Sequence, residues 1–114
     1  MTSGQTIDLN EPFDRIDVNQ AKELMDSGGL KVIDVREHSE YAKGHIPGVE
    51  LAPLAEFLAD PEKYADQDGL IFVCAVGQRS AVAAEMAAAL GHTELYNLEG
   101  GTIAWADAGL PIEK

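Results

Sequence analysis

The run Gly69-Leu70-Ile71-Phe72-Val73 is unbroken and apolar, and it stops at Cys74. From Ser80 to Leu90 the chain is alanine-rich and nearly uncharged, and Gly91 closes that stretch as a helix C-cap. A buried strand joined to a helix through the six residues Cys74–Arg79 leaves few folding options. The helix must return across the sheet, which is the strand–loop–helix unit of a parallel α/β fold. With so little charge, the helix is expected to be largely covered by its neighbours.

The remaining segments repeat that alternation. A short strand is predicted near Phe13–Ile16, and Asp17 is placed to cap a helix whose stripe is Val18, Ala21, Leu24 and Met25. Gly28-Gly29 ends it, and Leu30–Val35 reads as a second buried strand. One helical turn follows at His38–Ala42 and stops at Gly44; Ile46–Leu51 supplies a turn and an extended segment. Pro53 to about Ala59 and Glu62–Asp66 read as helical, Glu94–Leu98 as the last strand, and Gly100-Gly101 opens a terminal helix holding Trp105, taken as a core anchor. Residues 1–12 are polar and aperiodic, hence expected to be a flexible N-terminal arm, with 13–114 as a single domain.

Composition excludes several partners. With 20 acidic residues against 8 basic ones, the net charge is −12, which repels phosphate and anionic lipid, so no nucleic acid and no membrane surface is expected as a partner. No apolar run approaches the ~20 residues of a membrane helix, and no signal peptide is visible at the start. A lone cysteine cannot form an internal disulfide. The expectation is a soluble, cytoplasmic protein. One cysteine and three scattered histidines lack metal-ligand spacing, and Gly100-Gly101 lacks a dinucleotide fingerprint, so neither a metal nor a cofactor is expected.

Cys74 ends the apolar run rather than lying within it, which separates it from inert core cysteines. The loop Ala75-Val76-Gly77-Gln78-Arg79 is short enough to wrap its amides around a small concavity, and the helix beyond points its positive end there. Gly77 permits the turn, Arg79 brings a fixed cation, and Ser80 brings a hydroxyl. Such surroundings lower a thiol pKa from ~8.5 into the range ~3.5–7.5 and hold an anion at the sulfur.

The segment Cys74-Ala75-Val76-Gly77-Gln78-Arg79-Ser80 resembles the active-site loop of single-domain rhodaneses. Asp34-Val35-Arg36-Glu37, then Glu40 with Gly44-His45-Ile46-Pro47-Gly48, then Gly100-Gly101 with Trp105, Gly109 and Pro111, resemble other motifs of that family in the same order. The likeness covers about residues 13–112. It implies an α/β fold with a five-stranded parallel sheet flanked by helices on both faces. It also implies a sulfurtransferase, whose thiolate takes a sulfur from thiosulfate or another donor. The resulting Cys74 persulfide, anionic and exposed, passes the sulfur to cyanide, a thiol or a sulfur-accepting protein.

Four residues separate Cys74 from Arg79, where cysteine phosphatases with a similar cradle have five, which favours sulfur over phosphate or arsenate. Many thiosulfate-using relatives carry a basic or bulky polar residue after the cysteine. Ala75 stands there instead, so thiosulfate is expected to bind weakly and a thiol persulfide or partner protein becomes a candidate donor. The other class consistent with the likeness is a non-catalytic binding module, which an intact cysteine loop disfavours.

Other residues carry weaker signals. Arg79 either contacts substrate or, by a slight preference, pins the loop through a nearby carboxylate. Asp34 supports the loop or caps its strand. Arg36 adds positive potential at the mouth or pairs with Glu37 or Glu40. A low-pKa thiolate needs no base, so His45 is expected to make structural hydrogen bonds. His38 and His92 are read as solvent or cap residues.

Overall fold

A computed structural model describes residues 11–114; residues 1–10, most of the expected N-terminal arm, lie outside the described residues. The strands are β1 (Asp14–Ile16), β2 (Lys31–Asp34), β3 (Glu50–Leu51), β4 (Leu70–Val73) and β5 (Leu95–Leu98). The helices are α1 (Val18–Ser27), α2 (His38–Lys43), α3 (Leu54–Ala59), α4 (Pro61–Tyr64), α5 (Gln78–Ala89) and α6 (Gly101–Asp107). The strands form one parallel sheet in the order β1-β5-β4-β2-β3. This is the five-stranded arrangement that the family resemblance implies.

Local signals explain the element ends. Asp17 and Gln20 form a reciprocal capping box at the start of α1, each side chain accepting from the other's backbone N–H. Gly44 ends α2, its N–H returning to the Tyr41 carbonyl. All four residues of the central strand β4 are buried, which accounts for its lack of polar alternation.

Each face of the sheet has its own core. On one, Phe57 from α3, Tyr64 from α4 and Ala83, Ala84 and Ala87 from α5 pack over Ile33, Leu70 and Phe72. On the other, Ala21 from α1 and Trp105 from α6 pack over Val32, Ile71 and Leu98, with the Trp105 indole N–H donating to the Pro111 carbonyl. Fully burying a large apolar side chain of this kind contributes ~1.5–3 kcal/mol. The expectation that α5 is largely covered is corrected. Only Ser80, Ala83, Ala84 and Ala87 are buried, while Gln78, Val82, Glu85 and Ala89 face solvent. Alanine makes the helix uncharged without making it internal, because its small side chain lets α5 lie close to β4 and β5 along one stripe.

Register levels the sheet's carboxyl edge. Asp34 pairs with Val73 and with Leu51, and Ile16 pairs with Leu98, so the chain leaves every strand at a similar height. Cys74 is the first residue beyond the central strand, the position where ligands gather in open parallel sheets.

Candidate active site

β4 delivers Cys74 to the sheet edge, and Gly77 turns the chain away. Gly77 has a φ of 109°, left-handed backbone that side-chain-bearing residues rarely adopt, and it forms the N-cap of α5. The helix therefore begins at Gln78, two residues before the Ser80 start expected from sequence. Only Cys74–Gly77 remain as loop, and Arg79 and Ser80 belong to the first helical turn.

The Cys74 sulfur lies beneath this turn. The Gly77 N–H donates to Sγ at 3.1 Å and the Ser80 hydroxyl donates at 3.4 Å. Burial pushes the thiol pKa up, but the Ser80 hydroxyl and the amides of Ser80, Gly77 and Val76 outweigh it, so the net shift is downward. Cys74 is 0% exposed, whereas Val76 in the loop is 52% exposed. In the resting protein the loop closes over the sulfur it hydrogen-bonds. Ala75 is half-buried and Gln78 faces solvent.

Two elements from the end of the chain hold the loop in shape. The Thr102 N–H and hydroxyl donate to the Cys74 carbonyl at 2.9 and 3.2 Å, and the Ile103 N–H donates to the Ala75 carbonyl at 3.2 Å. These carbonyls face α6, while the amides of Val76, Gly77 and Ser80 act on the sulfur. A Cβ at Gly101 would overlap both carbonyls, so only glycine lets α6 approach this closely. Behind the loop, buried Asn97 donates its amide to the Gly77 carbonyl at 3.0 Å, while its Oδ1 has no partner. Sequence reasoning placed Gly101 at a helix start and missed the clamp through Thr102, Ile103 and Asn97. The double glycine was its only visible signal.

The charged residues named from sequence occupy different places. Asp34 is fully buried and its carboxylate is engaged by Arg36: Nε at 3.0 and 3.1 Å, Nη2 at 2.8 Å, and the Arg36 backbone N–H at 3.0 Å. Arg36 therefore pairs with neither Glu37 nor Glu40. Its remaining donors reach the Gly44 and Glu40 carbonyls at 2.9 and 3.4 Å, because a two-residue return to Asp34 is the shortest way to satisfy a buried carboxylate. Arg79 forms a two-pronged pair with Glu40 at 2.8 and 3.0 Å. That contact, with help from the Glu37 N–H, lowers the Glu40 pKa to about 2. The Arg79 pKa is raised mainly by Glu40, with a smaller contribution from Cys74.

His45 lies apart from the sulfur. Its ring stacks on Tyr41 at 3.7 Å, its Nδ1–H donates to the Tyr41 carbonyl at 3.0 Å, and its backbone bridges Glu113. Among the described residues, neither the Asp34 carboxylate nor the His45 ring makes a hydrogen bond to the Cys74 loop. His38 is exposed, 3.5 Å from Glu56, and His92 lies 3.8 Å from Asp68. A polar hollow of about 630 Å³ lies on the β1 edge against α1, lined by none of the loop residues.

The arrangement can hold a sulfur anion with neutral donors and present it as a nucleophile. Comparison with known proteins bears on the fold and the family. The family model described as rhodanese-like domain matches residues 17–108. A thiosulfate sulfurtransferase, GlpE, of Pseudoalteromonas translucida is 36% identical, over 84% of this chain and 91% of its own length. Among solved structures, a rhodanese-related protein from Thermoplasma volcanium superposes with a TM-score of 0.78 at 28% identity, covering 89% of this chain and 98% of that one. A protein from Rhodopseudomonas palustris described as of unknown function and a possible tyrosine phosphatase has a TM-score of 0.78 at 33% identity, covering 98% of this chain and all of that one.

Proposed function

The chain belongs to the rhodanese-like domain family, and on that premise we propose that it is a sulfurtransferase in which Cys74 carries the sulfur. The observation that carries this reading is the Cys74 sulfur itself, set among amide donors and the Ser80 hydroxyl that favour its anionic form. The thiolate attacks the outer sulfur of a donor, thiosulfate or a thiol persulfide. A bond forms between Sγ and that sulfur, the donor's S–S bond breaks, and the electron pair leaves with sulfite or the donor thiolate. The donors around Sγ lower the thiol pKa and so raise the share of thiolate, which lessens the need for a general base.

An added sulfur extends the side chain by one S–S bond, ~2 Å, which brings the reactive atom out from beneath the loop. The same amides then stabilise the persulfide anion, as an oxyanion hole stabilises oxygen. An acceptor thiolate, cyanide or a sulfur-accepting protein attacks that outer sulfur, and the electron pair returns to Sγ. The chemistry requires a reduced Cys74, in keeping with the expected cytoplasmic setting.

The phosphatase reading raised by the Rhodopseudomonas relative is weaker. Holding a phosphate would call on Arg79, and both of its terminal nitrogens are engaged by Glu40. The test is intact mass after incubation with thiosulfate or glutathione persulfide. Gain of one sulfur atom by the wild type, and none by Cys74→Ser, is the expected result. A wild type that gains no sulfur from either donor, or a Cys74→Ser variant that still makes thiocyanate, would overturn the proposal.

A further inference from the structure

A hollow of about 350 Å³ adjoins the loop at Ala75 and runs between α2 and α6. Its volume lies within the ~300–1,000 Å³ typical of small-molecule sites. Its floor and far wall are apolar, built from Ala75, Ile103, Ala106 and Ile112. Ile103 and Ile112 remain 54% and 38% exposed, an open apolar wall on a chain whose net charge is −12.

The charges around this wall are unequal. The Arg36 guanidinium is held by Asp34 and the Gly44 carbonyl, and Glu40 is held by Arg79. Lys43, on the same wall, has no carboxylate within ion-pair distance among the described residues. The hollow therefore combines an aliphatic surface with one uncompensated cation.

We propose that this hollow is the subsite for the organic half of the sulfur donor or acceptor: a small thiol, or its persulfide, with an aliphatic body and a carboxylate that meets Lys43. The proposal rests on the sulfurtransferase reading and adds the substrate class to it. The group attacking or leaving the outer sulfur must lie beyond it, outside the loop, and Ala75 is where loop and hollow meet. Sulfite would leave the aliphatic wall uncovered, whereas a carbon chain covers it and releases its water. In the acceptor direction RS⁻ bonds to the outer sulfur, the bond from that sulfur to Sγ breaks, and the electron pair returns to Sγ. The outer sulfur keeps its negative charge in the new persulfide RSS⁻, Sγ is again a thiolate, no outside oxidant is needed, and the donor direction reverses these changes.

The test loads Cys74 with sulfur and unloads it with mercaptopropionate, mercaptopropanol or cyanide, comparing second-order rate constants corrected for thiol pKa. The carboxylate should outpace the alcohol about fivefold, the scale of one exposed ion pair, and Lys43→Gln should erase that ratio. Ile112→Ser should slow both thiols roughly fivefold and leave cyanide, too small to use the wall, unchanged. Equal thiol rates in the wild type, or a ratio that survives Lys43→Gln, would overturn the subsite. Failure of every donor to load Cys74 would instead overturn the sulfurtransferase reading, and the subsite with it. The alcohol and cyanide arms separate a lost contact from a damaged loop, which would slow all three acceptors.

Discussion

Two neighbouring strand-to-helix turns favour buried negative charge in opposite ways. After β2, the Asp34 carboxylate has its own counter-ion, the Arg36 guanidinium, at 2.8 Å with both residues nearly sealed from solvent. After β4, the Cys74 sulfur has only N–H and O–H donors, while the nearest loop cation, Arg79, is committed to Glu40. A full ion pair fixes a charge permanently and quenches it. Neutral dipoles favour the charge yet leave its electron pair available for attack, and they serve equally when the charge moves to an added sulfur. Under the proposed function, the contrast separates Asp34, which holds the turn in place, from Cys74, which reacts.

Removing the counter-ion at the first turn should have the largest effect on stability. Arg36→Met strands a buried carboxylate and should cost ~3–5 kcal/mol, read by urea unfolding. Adding Asp34→Asn should recover most of that loss, because a neutral amide needs no cation. If Arg36→Met costs less than ~1 kcal/mol, the pair is not structural and the contrast between the two turns collapses.

Changes at the second turn should act on reactivity before stability. Ser80→Ala removes the hydroxyl that most lowers the Cys74 pKa, so the thiol pKa should rise. With less thiolate at neutral pH, iodoacetamide should alkylate Cys74 more slowly, and the whole rate-versus-pH curve should move to higher pH. Asn97→Leu should shift the curve the same way by less, since it frees the Gly77 carbonyl and acts on the sulfur only through the Gly77 amide. Removing the orphaned Oδ1 also relieves a buried polar atom, which offsets part of the lost hydrogen bond. An unshifted alkylation profile in Ser80→Ala would mean that the hydroxyl does not tune the thiolate.

The sequence made the proposed nucleophile legible because its evidence is local. An apolar run, a cysteine and a glycine-containing turn stand next to one another, and the capping pair Asp17 and Gln20 is local too. The loop's clamp is not local. Thr102 reaches Cys74 across 28 residues, and Asn97 reaches Gly77 across 20. Nothing in Leu95-Tyr96-Asn97-Leu98 says that one side chain will turn back to a distant carbonyl. The Arg36 partner was missed for a different reason. Glu37 and Glu40 look like helical partners by spacing, but burial of Asp34 at the end of β2 makes its need for a cation the greater one.

The two turns are joined by the pair between Glu40 of α2 and Arg79 of α5, and its loss gives the smallest effect. Both side chains are about one-third exposed, 35% for Arg79 and 33% for Glu40, so solvent weakens the pair and Glu40→Gln should cost about 1 kcal/mol or less. Its signature is the pH dependence. The Glu40 pKa falls from 4.5 when unperturbed to about 2 in the folded protein, so its contribution is fully present above about pH 4.5. As pH falls from there through 2, the folded carboxylate is protonated and the contribution disappears. The stability difference between wild type and Glu40→Gln should therefore be flat near neutrality and close across that acid window, as measured by urea unfolding at stepped pH. A difference that grows on acidification would contradict the pairing. At neutral pH, sulfur loading from thiosulfate should be nearly unchanged, because Arg79 pins the turn without holding the donor. A clear gain in Glu40→Gln would mean that the released guanidinium binds thiosulfate, and the second turn would then have a cation of its own.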